Sequence, residues 1–248
     1  MSGHSKWHNI KLRKGKADAA RGKIFTKITR EIIVAAKAGG GNPDTNLRLR
    51  MAVQKAREAS MPADNIKRGI QRGTGELAGV NYEEVTYEGY GPAGVAFLIQ
   101  TLTDNRNRTV TDLRSVFNKR GGGLGEAGSV AWMFTPKGTI MVDGNGLDEE
   151  TVMAVALDAN AEDVRADDGC FEILTAPADL ERVKAALQQQ GIAFTSAELS
   201  MIPQNTVTVT GKQVEQVIRL MDDLEELDDV QRVYANFDIP DDLLEQAA

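Results

Sequence analysis

Between residues 139 and 201 the two hydrophobic periods alternate in an order that few folds accept. Residues 139–142 read as a strand, and 148–159 as a helix with Val152, Val155 and Ala156 on one side. Residues 163–166 and 171–175 flank Asp167-Asp168-Gly169 as a hairpin, 179–190 form a second helix, and 194–201 close the run as a strand. The order βαββαβ predicts a split βαβ, ferredoxin-like unit.

The flanking segments do not close on themselves. Residues 82–90 and 95–102 read as strands joined by the turn Gly91-Pro92-Ala93-Gly94, and 109–119 as a helix with Val110, Leu113, Val116 and Phe117 inward. Residues 129–134 read as a further strand. One helix cannot cover such a sheet, so the strand 206–210, helix 214–227 and strand 230–238 are expected to complete it. The ferredoxin-like unit is then an insertion.

Upstream the texture is helical. Ile24, Phe25, Ile28, Ile32 and Ala36 recur at spacings of three and four until Gly39-Gly40-Gly41-Asn42-Pro43 breaks the pattern. A second helix spans 46–59, and Pro62 starts a third that ends at Gly73-Thr74-Gly75. The predicted fold class is α+β and multidomain: a basic flexible tail (1–16), a three-helix bundle (17–75), a discontinuous α+β domain (76–135 plus 206–248) and the inserted ferredoxin-like domain (136–205).

Charge divides along the same lines. Up to Gly75 there are seventeen Lys/Arg against five Asp/Glu, or +12; from Glu76 onward there are twelve against thirty-one, or −19, within a net −7. The first thirty residues hold nine basic residues against Asp18 alone. A concentrated positive segment is what a phosphate backbone attracts. The candidate nucleic-acid-binding residues are therefore Lys6, Trp7, His8, Lys11, Arg13, Lys14, Lys16, Arg21, Lys23, Lys27 and Arg30. The cations would follow phosphates, while Trp7 and His8 offer flat faces to an unpaired base. The bland alternative is a solvated terminus with no partner. A second basic island, Arg106, Arg108, Arg114, Lys119 and Arg120, lies in the acidic body; it reads equally as a second contact surface or as arginines paired with local acids.

Other chemistries find little support. His4 and His8 are the only histidines and nothing supplies further ligands, so no metal site is expected. A conventional His-based triad is not expected on the same count, and Cys170 lacks a neighbouring base. The glycines of 121–129 follow a helix and precede a strand, the reverse of a phosphate-binding loop, and lack its Lys. Acids at 222–229 and 241–245 read as a solvated face and a frayed end. No catalytic residue, cofactor or small-molecule substrate is evident; an enzyme would have to rely on carboxylate chemistry.

No apolar run approaches the roughly 20 residues of a membrane span, and no h-region follows the charged start. A mitochondrial presequence would share that basic start, but Gly3, Gly15, Gly22 and Trp7 interrupt a clean amphipathic helix. A single cysteine fits a reducing compartment, and a cytoplasmic location is expected.

The opening Gly3-His4-Ser5-Lys6-Trp7-His8-Asn9-Ile10-Lys11, with Arg21-Gly22-Lys23 and Phe25-Thr26-Lys27, resembles that of the YebC family. Gly89-Tyr90-Gly91-Pro92-Ala93-Gly94, residues 103–109 (TDNRNRT) and 128–134 (GSVAWMF) resemble its later motifs. The resemblance implies three domains, with a ferredoxin-like unit inserted in an α/β domain, and no enzymatic activity. Bacterial members are described as probable DNA-binding transcriptional regulators, and a mitochondrial relative as a translational activator of a cytochrome oxidase subunit. The expected function is thus regulation of gene expression through DNA, with RNA within the ribosome as the alternative. An extended Lys/Gly-rich tail suits irregular RNA, and no helix-turn-helix signature stands out.

Overall fold

The computed structural model describes Trp7, residues 20–167 and 169–240, and Leu243, with the backbone alone for Ala20, Arg21 and Asp167. Apolar residues three and four apart produce α1 (Ala20–Gly39), α2 (Leu47–Glu58) and α3 (Ala63–Thr74). Ile28, Ile32, Ala35 and Ala36 of α1 are buried against Leu49, Ala52, Val53 and Ala56 of α2 and Ile66 of α3. Asn46 joins two helix ends. Its carbonyl oxygen accepts from the Leu49 amide (3.1 Å) at the start of α2, and its amide group donates to Ala35 O and Gly40 O (both 2.8 Å) at the end of α1.

Helix α3 presses against α1 through glycine. A Cβ on Gly73 would lie 2.5 Å from the Ile33 carbonyl oxygen and 2.6 Å from the Ala36 Cβ. Backbone cannot yield as a side chain can, so Gly73→Ala should destabilise the protein by about 1–3 kcal/mol in urea unfolding. Gly22 in α1 has no neighbour within 4 Å of such a Cβ, and Gly22→Ala should be neutral or stabilising by up to about 1 kcal/mol. Equal effects at the two sites would contradict the close helix approach.

Past the bundle, β1 (Glu83–Tyr90), β2 (Ala96–Thr103), β3 (Gly123–Leu124) and β9 (Val230–Ala235) form an antiparallel sheet in the order β3-β1-β2-β9. Helices α4 (Arg106–Lys119) and α7 (Lys212–Glu225) supply its core, where Phe97 and Ile99 meet Leu113, Phe117, Val217 and Met221. The rings of Phe97 and Phe117 meet edge to face, with centroids 5.9 Å apart. On the opposite face Ala96 and Leu98 pack with Val130, Phe134 and Tyr234. Burial of both faces explains why residues 95–99 read as a continuous apolar run.

The second sheet contains β4 (Phe134–Asp143), β5 (Ala161–Asp167), β6 (Cys170–Thr175) and β7 (Phe194–Pro203), all antiparallel in the order β5-β6-β4-β7. With α5 (Glu149–Asp158) and α6 (Leu180–Gln189) on one face, this is the ferredoxin-like topology that the βαββαβ order predicts. The chain is α+β, as expected.

Three local expectations are corrected. Most of 129–134 is not a strand: Ala131–Met133 is a 3-10 turn and β4 begins at Phe134. The glycine segment contributes the two-residue strand β3 against Gly89 and Tyr90. Residues 206–210 and the end of 230–238 leave the main sheet, and β8 (Val207–Thr208) pairs in parallel with β10 (Phe237–Asp238). No described helix is long and apolar enough to cross a membrane.

Candidate nucleic-acid interface

Of the predicted tail contacts, Lys6, His8, Lys11, Arg13, Lys14 and Lys16 lie outside the described residues, as do His4 and the side chain of Arg21. Trp7 is described, and its location corrects the expectation. The indole is 5% exposed and belongs to the core of the first sheet with Val95, Phe97 and Val217, so no base can stack on it there. A large apolar ring contributes more to a core than to a solvated tail.

Lys23, Lys27 and Arg30 lie one helical turn apart on α1 and turn onto the loop between α7 and β9. The Lys23 ammonium pairs with the Glu226 carboxylate, and Lys27 donates to the Glu225 carbonyl at 2.6 Å. Arg30 donates to the Asp228 carbonyl and, at 2.8 Å, to Asp229 Oδ1, with its guanidinium 5.3 Å from the centre of the Tyr82 ring.

Asp229 is the centre of this contact. It is 5% exposed. Arg108 forks onto it, with Nη2 2.9 Å from Oδ1 and 2.8 Å from Oδ2. The Thr109 hydroxyl donates to Oδ2 at 2.8 Å. Burial pushes the Asp229 carboxyl pKa up, but the hydrogen bonds from Arg108 and Thr109 and the charges of both arginines outweigh it, holding the group below its ordinary value. A cleft of about 620 Å³ opens beside this knot, lined by Lys23, Arg30, Arg108, Asp112 and Glu226 among others.

The second basic island is largely neutralised in place. Arg106 pairs with Glu83 (2.6 Å), Arg108 with Asp104 (2.6 Å) and Asp229, and Arg120 with Asp223 (2.8 Å), beside which Lys119 lies at 3.7 Å. The Arg120 and Lys119 contacts hold the Asp223 carboxyl below its ordinary pKa. Arg114 alone of the five is exposed with no ion pair among the described residues. Of the two readings of the island, local pairing is the one these contacts support.

Free positive charge lies elsewhere, on residues the motif reading passed over. Arg57 on α2 and Lys67, Arg68 and Arg72 on α3 are exposed and have no ion pair among the described residues. Arg68 and Arg72 are four apart and share one face, while Ile66, Gly69 and Gly73 turn toward α1. The signal was available: α3 carries Lys67, Arg68 and Arg72 against Asp64 alone. That acid sits in the first turn, where a recognition helix would contact base edges, and the cations follow it. Such a face fits phosphates better than bases. Among the described residues no cluster of three His, Cys, Asp or Glu could hold a metal.

Comparison with known proteins covers nearly the whole chain. Residues 5–76 match the family model for the TACO1/YebC protein N-terminal domain, and 82–237 that for the TACO1/YebC second and third domain. A relative from Syntrophotalea carbinolica is 58% identical over 242 residues, covering 98% of this chain and 97% of its own. One from Syntrophobacter fumaroxidans is 53% identical over 249 residues, covering all of both. Each is named "Probable transcriptional regulatory protein". The crystal structure of a conserved hypothetical protein from Aquifex aeolicus superposes with a TM-score of 0.82 at 46% identity, over 90% of this chain and 93% of that one.

Proposed function

The chain belongs to the TACO1/YebC family, and on that premise we propose that it is a non-enzymatic, nucleic-acid-binding regulator of gene expression. The observation that carries the reading is the cationic surface of α2 and α3, which has no ion pair among the described residues, in a chain whose first sixteen residues hold five Lys/Arg and no acid. The acidic remainder, at −19, orients the basic end of the protein toward a polyanion. The names of the relatives favour transcription, a process for which DNA is the natural partner. A face whose cations suit phosphates better than base edges, together with the Lys/Gly-rich start of the sequence, supports RNA and translation as the second reading.

Replacing Arg57, Lys67, Arg68 and Arg72 with Glu should weaken binding at least tenfold and make the plot of log affinity against log salt shallower by about 3. Titration of labelled duplex DNA and structured RNA from 50 to 200 mM salt measures both quantities. Unchanged affinity and slope for both ligands would remove this face from the interface. Whichever ligand loses more affinity identifies the physiological class.

A further inference from the structure

Trp132 is 63% exposed, the most exposed of the large hydrophobic side chains described. Its indole is nonetheless fixed: Nε1 donates to the Ser129 carbonyl at 3.1 Å. The hydroxyl of Tyr90, itself 38% exposed, donates to that same oxygen at 3.0 Å. Two aromatic side chains from distant parts of the chain thus have their polar tips on one atom. Their apolar bodies remain in water.

The carbonyl is itself held from below. Glu88, 7% exposed, accepts from the amides of Gly128 (2.7 Å), Val130 (2.6 Å) and Ala131 (2.8 Å), bracketing Ser129. Gly128 has a φ of +87°, which a residue with a side chain adopts only under strain. Gly123 pairs with Tyr90 at the edge of the first sheet, and the exposed residues Gly125 to Gly128 lead from it to Ser129.

Exposed rings already held in place lose little rotamer freedom when a flat ligand stacks on them. Every base has a π-face, and stacking between bases and aromatic side chains is the usual means of holding a single strand. We propose that Trp132 and Tyr90 form a stacking platform for unpaired bases. The site rests on the nucleic-acid-binding reading above and adds to it a requirement for single-stranded substrate. It takes over the stacking role that the burial of Trp7 removes.

The chain has two tryptophans, and Trp7 is buried, so a fluorescence change on stacking reports Trp132. The full chain is titrated with oligo-uridine and oligo-thymidine of about 12 nucleotides, and with a duplex of the same length. Either single strand should quench the emission and the duplex should not; the stronger quencher distinguishes RNA from DNA as the source. Trp132→Ala should weaken single-strand binding about tenfold while duplex binding is unchanged, and Trp132→Phe should restore most of the loss. Wild-type binding without quenching, and with equal affinity in Trp132→Ala, overturns the platform while leaving the basic face intact. That outcome would assign the aromatic pair to a protein partner. Absence of binding to every nucleic acid overturns both proposals.

Discussion

Asp229→Asn is expected to destabilise the body of the protein by about 3 kcal/mol at pH 7, measured by urea unfolding. The carboxylate is buried between Arg30 of the helical bundle and Arg108 and Thr109 of α4, and accepts hydrogen bonds from all three. Asparagine keeps the shape and one acceptor, but it removes the charge and points an N–H₂ at cationic donors. The side chain of Arg30 is only 11% exposed, so water cannot replace the lost partner there; that of Arg108 is 44% exposed and recovers some hydration. Hence the expectation lies at the lower end of the 3–5 kcal/mol usual for breaking a buried pair.

The pH dependence has a definite sign. A carboxyl whose folded pKa is depressed contributes its stability above its unfolded value, near pH 4, and loses it as pH falls through the lower folded value. The gap between wild type and Asp229→Asn should therefore be full at pH 7 and narrow below about pH 4. A pH-independent gap would mean that shape, not charge, is what Asn fails to supply. Because Arg30 belongs to α1, the variant should also loosen the bundle from the sheet and speed protease cleavage within the connection at 75–82, which is already largely exposed. An unchanged digestion pattern would show that Asp229 does not fasten the two.

That knot also shows what was legible in the sequence and what was not. The helices and the βαββαβ order followed from local periodicity, because each element buries one face and its spacing records the burial. Counting charge along the chain gave Lys23, Lys27 and Arg30 the same role as the tail. Their acidic partners, Glu225 to Asp229, lie about two hundred residues downstream, and no local pattern joins the two segments. Trp7 is the same case: flanked by Lys and His it reads as a ligand contact, yet it completes a core assembled from residues 95–239. The free cations of α3 were masked for a different reason. Lys67, Arg68 and Arg72 match no motif, and their freedom depends on which acids fail to reach them. The segment 129–134 reads as a strand because Val130, Trp132 and Phe134 favour one locally and alternate along it. Glu88, forty residues earlier, captures their amides and winds the backbone into a turn.

The capture by Glu88 leads to the second large effect. Glu88→Ala leaves the amides of Val130 and Gly128 and that of Ala131 without an acceptor where β4 enters the second sheet, and should cost about 3–5 kcal/mol. Glu88→Gln retains one acceptor oxygen and should cost less, about 2 kcal/mol, because its N–H₂ confronts donors on the other side. Burial pushes the Glu88 pKa up, yet the three amide hydrogen bonds more than reverse this and hold it below the ordinary carboxylate value. Its stabilisation is then complete above the unfolded pKa of about 4 and is lost as pH falls through the folded value. Unfolding free energies measured from pH 7 down to 3 should converge for wild type and Glu88→Gln only at the acid end. Ser129 is held between the captured amides, so Trp132 emission in Glu88→Gln should shift toward that of a freely solvated indole even at pH 7, without any ligand. An unaltered spectrum combined with the full stability loss would separate the two roles: Glu88 would then join the sheets, while Trp132 would owe its orientation to Ser129 alone.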